Sequence, residues 1–147
     1  MSEMSAYSTQ TEVVGKGLAT QSYNESHQAV LYKIGAETIC QHSYDKDHLV
    51  ETYFPKHNQS VKHAYNEDGQ RMRQVISGQH AITFHYSYDE LGREVRRDAS
   101  DGTIRIIRYI EDFLVIAYSN TAGKWFTRIE KLDGTLISFE IDTKNPL

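Results

Sequence analysis

A tyrosine recurs along this chain at near-constant spacing, each time followed by a short acidic or amide stretch. The copies are Tyr23-Asn24-Glu25-Ser26, Tyr44-Asp45-Lys46-Asp47, Tyr65-Asn66-Glu67-Asp68-Gly69, Tyr88-Asp89-Glu90-Leu91-Gly92 and Tyr109-Ile110-Glu111-Asp112. The steps between tyrosines are 21, 21, 23 and 21 residues, and one more step of 21 reaches Glu130, which opens Glu130-Lys131-Leu132-Asp133-Gly134. A fixed period of this size marks a repeat architecture, so the repeat governs how every single residue is read.

Each period holds a second turn about halfway between the tyrosines. These are Gly35-Ala36-Glu37, His57-Asn58-Gln59, Ser77-Gly78-Gln79, Ser100-Asp101-Gly102 and Thr121-Ala122-Gly123-Lys124, with Gly15-Lys16-Gly17 before Tyr23. Glycine and asparagine supply the positive φ that tight hairpin turns need. Two turns per period leave two segments of ordinary strand length, so one repeat is one β-hairpin. The segments alternate as strands do. Ile82, Phe84, Tyr86 and Tyr88 fall on one face with Thr83, His85 and Ser87 on the other, and Ile137, Phe139 and Ile141 alternate with Ser138, Glu140 and Asp142.

The expected fold is all-β: a meander of about six consecutive hairpins, some twelve short strands, forming a twisted and curled antiparallel sheet. A flat meander would leave its apolar face exposed, so the pattern calls for curling, closure into a barrel or stacking as two sheets, without choosing among them. A single domain is expected over 1–147, with 1–22 a degenerate first repeat and 23–147 the six repeats. The recurring tyrosine is expected to cap the core with its ring while its hydroxyl stays wet.

Tyr88-Asp89-Glu90-Leu91-Gly92-Arg93-Glu94-Val95, followed by Asp101-Gly102-Thr103 and Tyr109, resembles the YD repeat of the Rhs family. Tyr65-Asn66-Glu67-Asp68-Gly69-Gln70-Arg71-Met72 is a near-complete second copy, and the other copies are decayed. In Rhs-type polymorphic toxins such repeats number in the dozens and wind into a shell around a toxic domain. Six hairpins are too few to enclose a protein. With Met1 at its start and no toxin segment after the last repeat, the chain looks like a small stand-alone relative. The resemblance therefore implies a non-enzymatic cytoplasmic immunity protein that binds and neutralises a cognate toxin domain.

Composition excludes other classes. The 16 basic and 20 acidic residues give a formal charge of −4, without the basic excess that nucleic acid or an anionic membrane calls for. Cys40 is the only cysteine, so no intrachain disulfide forms. No secretion signal opens the chain. The longest apolar run, residues 113–118, is far short of the ~20 a membrane helix needs. The seven histidines lack His-x-x-x-His spacing, so no metal and no cofactor is expected. No activated nucleophile is visible, and the paired carboxylates recur in every turn, so no catalytic residue is assigned. Arg71, Arg73, Arg93–Arg97 and Arg105–Arg108 read as a solvated face balanced by Glu90, Glu94, Asp98 and Asp101, rather than a nucleic-acid surface.

The partner-binding residues expected are the turn carboxylates Glu67, Asp68, Glu90, Glu111 and Asp112. They would complement a basic site on a toxin that acts on nucleic acid or nucleotides. Two alternatives remain at this point: a shell module that joins a larger YD-repeat protein through an edge strand, and a carbohydrate-binding module that uses the tyrosine and Trp125 rings.

Overall fold

The structure, a computed structural model, describes residues 6–147; the first five residues of the expected degenerate repeat lie outside them. The fold is all-β, one open antiparallel sheet of thirteen strands in which neighbours in the sheet are neighbours in the chain. The strands are β1 (Tyr7–Val13), β2 (Gly17–Tyr23), β3 (Ala29–Ile34), β4 (Glu37–Asp45), β5 (His48–Phe54), β6 (Gln59–Tyr65), β7 (Arg71–Ile76), β8 (Ile82–Tyr88), β9 (Glu94–Ala99), β10 (Ile104–Ile110), β11 (Phe113–Ser119), β12 (Trp125–Lys131) and β13 (Leu136–Thr143). The one additional strand beyond the expected twelve arises because Tyr7–Val13 pairs with β2 in unbroken register. The only helical piece among the described residues is a single 3-10 turn, Pro55–His57, which ends on Asn58 in the left-handed region.

Every turn falls where the glycine, asparagine and acidic signals place it, and the loops are of few kinds. In one kind an Asn or Asp caps its own five-residue loop. The Asn66 side-chain oxygen accepts from the Asp68 and Gln70 backbone N–H groups (3.0 and 2.9 Å), and the Asp89 carboxylate does the same for Leu91 and Arg93 (3.0 and 2.9 Å). Asn24 and Asn120 repeat the arrangement. Gly69 and Gly92 fill the fourth position with φ of 79° and 80°, a conformation that costs a residue with a Cβ. Lys46-Asp47 and Glu111-Asp112 form two-residue loops, and Lys46 and Glu111 take φ of 54° and 53° without the glycine relief.

The chain divides into two compact units, Met1–Tyr65 with Gln74–Ala81 and Asn66–Arg73 with Ile82–Leu147. In the first, Ala19, Ser22, Val30 and Thr52 are buried. The Tyr44 hydroxyl donates to the Ala29 carbonyl (2.7 Å) and the Tyr65 hydroxyl to the Leu49 carbonyl (2.7 Å). In the second, Ser119 and Trp125 are buried, the Tyr88 hydroxyl donates to the Arg71 carbonyl (2.6 Å) and the Tyr109 hydroxyl to the Glu94 carbonyl (2.9 Å).

These four bonds correct the expected tyrosine role. The rings are half-buried rather than core caps, and the hydroxyls are not left to water. Each reaches a carbonyl at the start of the strand that precedes its own, just past the previous loop of the same kind. A buried or half-buried carbonyl without a donor is costly, which gives the hydroxyl a reason to be there. Burial, then the Glu94 carboxylate, push the Tyr88 and Tyr109 phenols above their ordinary value of 10.0, so both stay protonated donors.

A second correction concerns β13. Ile137, Phe139 and Ile141 were expected on a covered face, yet they are 49%, 49% and 64% exposed. The strand is last in the sheet order, with pairing on one side only. Register shifts leave Ile137 and Asp142 without a partner in β12, and Asp142 has a φ of 54°. Bulges of this kind twist an edge away from further pairing.

Candidate functional site

The five carboxylates expected at an interface all belong to the second unit. Glu67 and Asp68 lie in the loop between β6 and β7, Glu90 in the loop between β8 and β9, and Glu111 and Asp112 in the loop between β10 and β11. In an antiparallel meander every second loop returns to the same edge, so all five stand along one edge of the unit. All five are exposed, and among the described residues none is in an ion pair.

The loops follow one another closely. A Cβ added to Gly92 would meet the Gln70 side-chain nitrogen at 3.3 Å, so the loops 66–70 and 89–93 approach side by side. The Arg93 guanidinium lies 4.2 Å from the Tyr109 ring centroid, while its Nε donates to Asp89 (2.9 Å). The Leu132 N–H donates to the Asp112 carbonyl (3.2 Å), which ties the loop 132–135 to the loop 111–112. The edge is therefore a row of loops whose backbone is held by hydrogen bonds within and between them. Arg93, a cation within these loops, is already taken by Asp89.

Three aspartates of the loops serve structure. The Arg93 backbone N–H, with the Arg93 guanidinium, holds the Asp89 carboxyl below its ordinary value of 3.8. The Thr103 hydroxyl and N–H do so for Asp101, and the Thr135 side chain and N–H for Asp133. A carboxyl whose folded pKa is depressed contributes stability that is present above the unfolded value and lost as pH falls through the folded one. Stability is therefore expected to fall below about pH 4 as the loops lose their caps. Asn24, Asn66 and Asn120 make the two backbone bonds of Asp89 with an amide, one of which is the bond that Asp101 and Asp133 make. Replacing Asp89, Asp101 and Asp133 together by asparagine is thus expected to leave neutral-pH stability nearly unchanged and flatten the acid limb of a pH series of thermal melts. An unchanged acid limb would refute this assignment.

The sequence shows Cys40 as the only cysteine without showing its neighbour. Cys40 Sγ lies 3.5 Å from His42 Nε2, and His42 Nδ1 lies 2.9 Å from Thr52 Oγ1. Two residues apart on a strand means one face, which is the signal that was available. Burial raises the thiol pKa and lowers that of the imidazole, which opposes the thiolate–imidazolium pair a nucleophilic cysteine needs. The trio is a polar contact between β4 and β5. Among the described residues no group of three His, Cys, Asp or Glu side chains is placed to hold a metal ion, and no helix is long and apolar enough to cross a membrane.

The arginines also depart from expectation. Arg96 pairs with Asp98 and Arg105 with Glu94, but Arg71 lies over the Tyr86 ring (4.6 Å) and Arg97 over Phe84 (5.0 Å). Glu90 balances none of them. Compared with models of known protein families and with curated proteins, the chain matches none.

Proposed function

We propose that this chain is a non-enzymatic binding protein, an immunity protein of the kind that accompanies Rhs-type toxins, which occludes a cognate toxin domain through its acidic loop edge. The observation that carries the reading is the edge itself: Glu67, Asp68, Glu90, Glu111 and Asp112, exposed and without ion pairs, the first three on loops braced by their own hydrogen bonds and the last two on a short loop bonded to Leu132. Preorganised loops lose little entropy when a partner docks, so their charges convert more fully into affinity. A toxin site that handles phosphates is basic, and an acidic edge both complements it and speeds encounter. The recurrence of loop, tyrosine and strand at the YD-repeat spacing supports the likeness to Rhs shell repeats.

Co-expression with a toxin encoded beside it is the test: the chain is expected to rescue cells from its cognate toxin alone. Charge reversal at Glu67, Asp68, Glu111 and Asp112 is expected to slow association and weaken its salt dependence while leaving the fold intact. Failure to bind or protect against any neighbouring toxin would discard the proposal. A second reading, a module that extends the sheet of a larger repeat protein, is favoured by the exposed Phe139 and Ile141 on the outermost strand. Co-purification of a larger repeat protein, lost on replacing Phe139 and Ile141 with lysine, would support it.

A further inference from the structure

One face of the second unit carries a line of rings and guanidiniums. Tyr86, Arg97, Arg105, Tyr118 and Phe126 are direct cross-strand partners from β8 to β12. Direct partners share a face, and adjacent strands are about 4.8 Å apart, so the five side chains stand in a row. The row places Arg97 opposite Arg105, an arrangement that destabilises a sheet. Glu94 offsets Arg105. Among the described residues neither Arg97 nor Arg71 has a carboxylate within ion-pair distance, and Arg97 meets the Asp101 charge only at longer range. The Nε atoms of Arg71 and Arg105 are buried without hydrogen-bond partners, so any contact with a partner falls to the outer nitrogens of the guanidiniums. The face thus holds cationic donors beside half-buried rings, and Phe139 extends it as an exposed ring stacked on Phe126.

We propose that this face docks a segment of another protein in which carboxylates flank apolar side chains. Two properties select that occupant. The Arg71 and Arg97 guanidiniums, in no ion pair, fit carboxylates through their paired terminal nitrogens, and tyrosine, phenylalanine and arginine are the residues that concentrate in the cores of protein interfaces. Single-stranded nucleic acid, the other polyanion a sheet can bind, needs open ring faces on which bases stack. Here the faces are taken. Tyr118 stacks on Phe126 at 5.4 Å with planes 17° apart, Phe126 stacks on Phe139, and Tyr86 and Phe84 lie under guanidiniums. What the face offers outward is ring edges, which carry the positive part of the quadrupole and so also prefer anions. The surface is separate from the acidic edge and does not rest on the immunity reading.

The test uses fluorescence anisotropy with three labelled probes: a peptide of alternating glutamate and leucine, one of alternating lysine and leucine, and an oligothymidylate. The glutamate peptide is expected to bind best. Replacing Arg71 and Arg97 together with glutamine is expected to weaken it by about tenfold or more, since a hydrogen bond to a charged group is worth on the order of 1.5–3 kcal/mol. Arg96→Gln, on the opposite face, is expected to leave binding unchanged. Arg97→Lys, which keeps the charge and loses the fork, provides an intermediate loss if the double variant does not fold. Preference for the lysine peptide, no saturation by the glutamate peptide at millimolar concentration, or equal loss in Arg96→Gln would overturn the proposal. Tighter binding of oligothymidylate that is lost in the same variants would overturn it in favour of nucleic acid.

Discussion

Replacing Trp125 with alanine is expected to destabilise the protein by about 3–5 kcal/mol, the usual effect of deleting a buried large aromatic side chain. Trp125 is 6% exposed and opens β12 opposite Ser119 and Thr143. Among the described residues only Ala19 and Val30 are comparably buried apolar side chains, both small and both in the first unit. The second unit has no other large side chain buried to that degree, so the space left by the indole would not be refilled. The loss is a large fraction of the ~5–15 kcal/mol that keeps a typical domain folded. Urea unfolding followed by circular dichroism measures it, since the only tryptophan is itself removed. Trp125→Phe should recover most of the stability, and an alanine variant within about 1 kcal/mol of the parent would contradict this account.

Tyr88 is expected to show a two-step response. Removing only the hydroxyl, in Tyr88→Phe, should cost about 1 kcal/mol for the bond to the Arg71 carbonyl, which is left without that donor. Removing the ring as well, in Tyr88→Ala, should cost about 3 kcal/mol, the low end for a large aromatic because the ring is half-buried. Tyr44→Phe should match Tyr88→Phe, because its hydroxyl makes the same bond to Ala29. Phenylalanine at Tyr88 with no measurable loss would show that the hydroxyl bond contributes nothing net.

Turn positions and strand type were legible in the sequence because their causes are local. A positive φ at Gly69 or Gly92 and an Asx cap at Asn66 or Asp89 depend on residues within four positions. The tyrosine bonds were not legible, because each acceptor lies 15 to 17 residues upstream and is chosen by cross-strand register. Ile137, Phe139 and Ile141 alternate like a covered strand, and only the sheet order reveals that β13 lies at its end. The arginines misled for a similar reason. Spacing puts Arg71 and Arg97 among acidic residues, whereas the strands bring them onto Tyr86 and Phe84. The acidic edge was readable because loops that share a repeat position must share an edge.

Each strand of this sheet is bonded only to the strands before and after it in the chain. A molecule built of nearest neighbours behaves as a one-dimensional array, its stability a sum of intrinsic and interfacial contributions. Unfolding in such an array starts from whichever end is weakest and proceeds hairpin by hairpin, so amide exchange should be graded along the chain. The outermost strands β1 and β13, each with one bonded partner, would exchange first. Change over generations has the same grain. The loss or gain of one whole hairpin removes or adds a rung without asking any distant strand to find a new partner, so length should vary in steps of about one repeat.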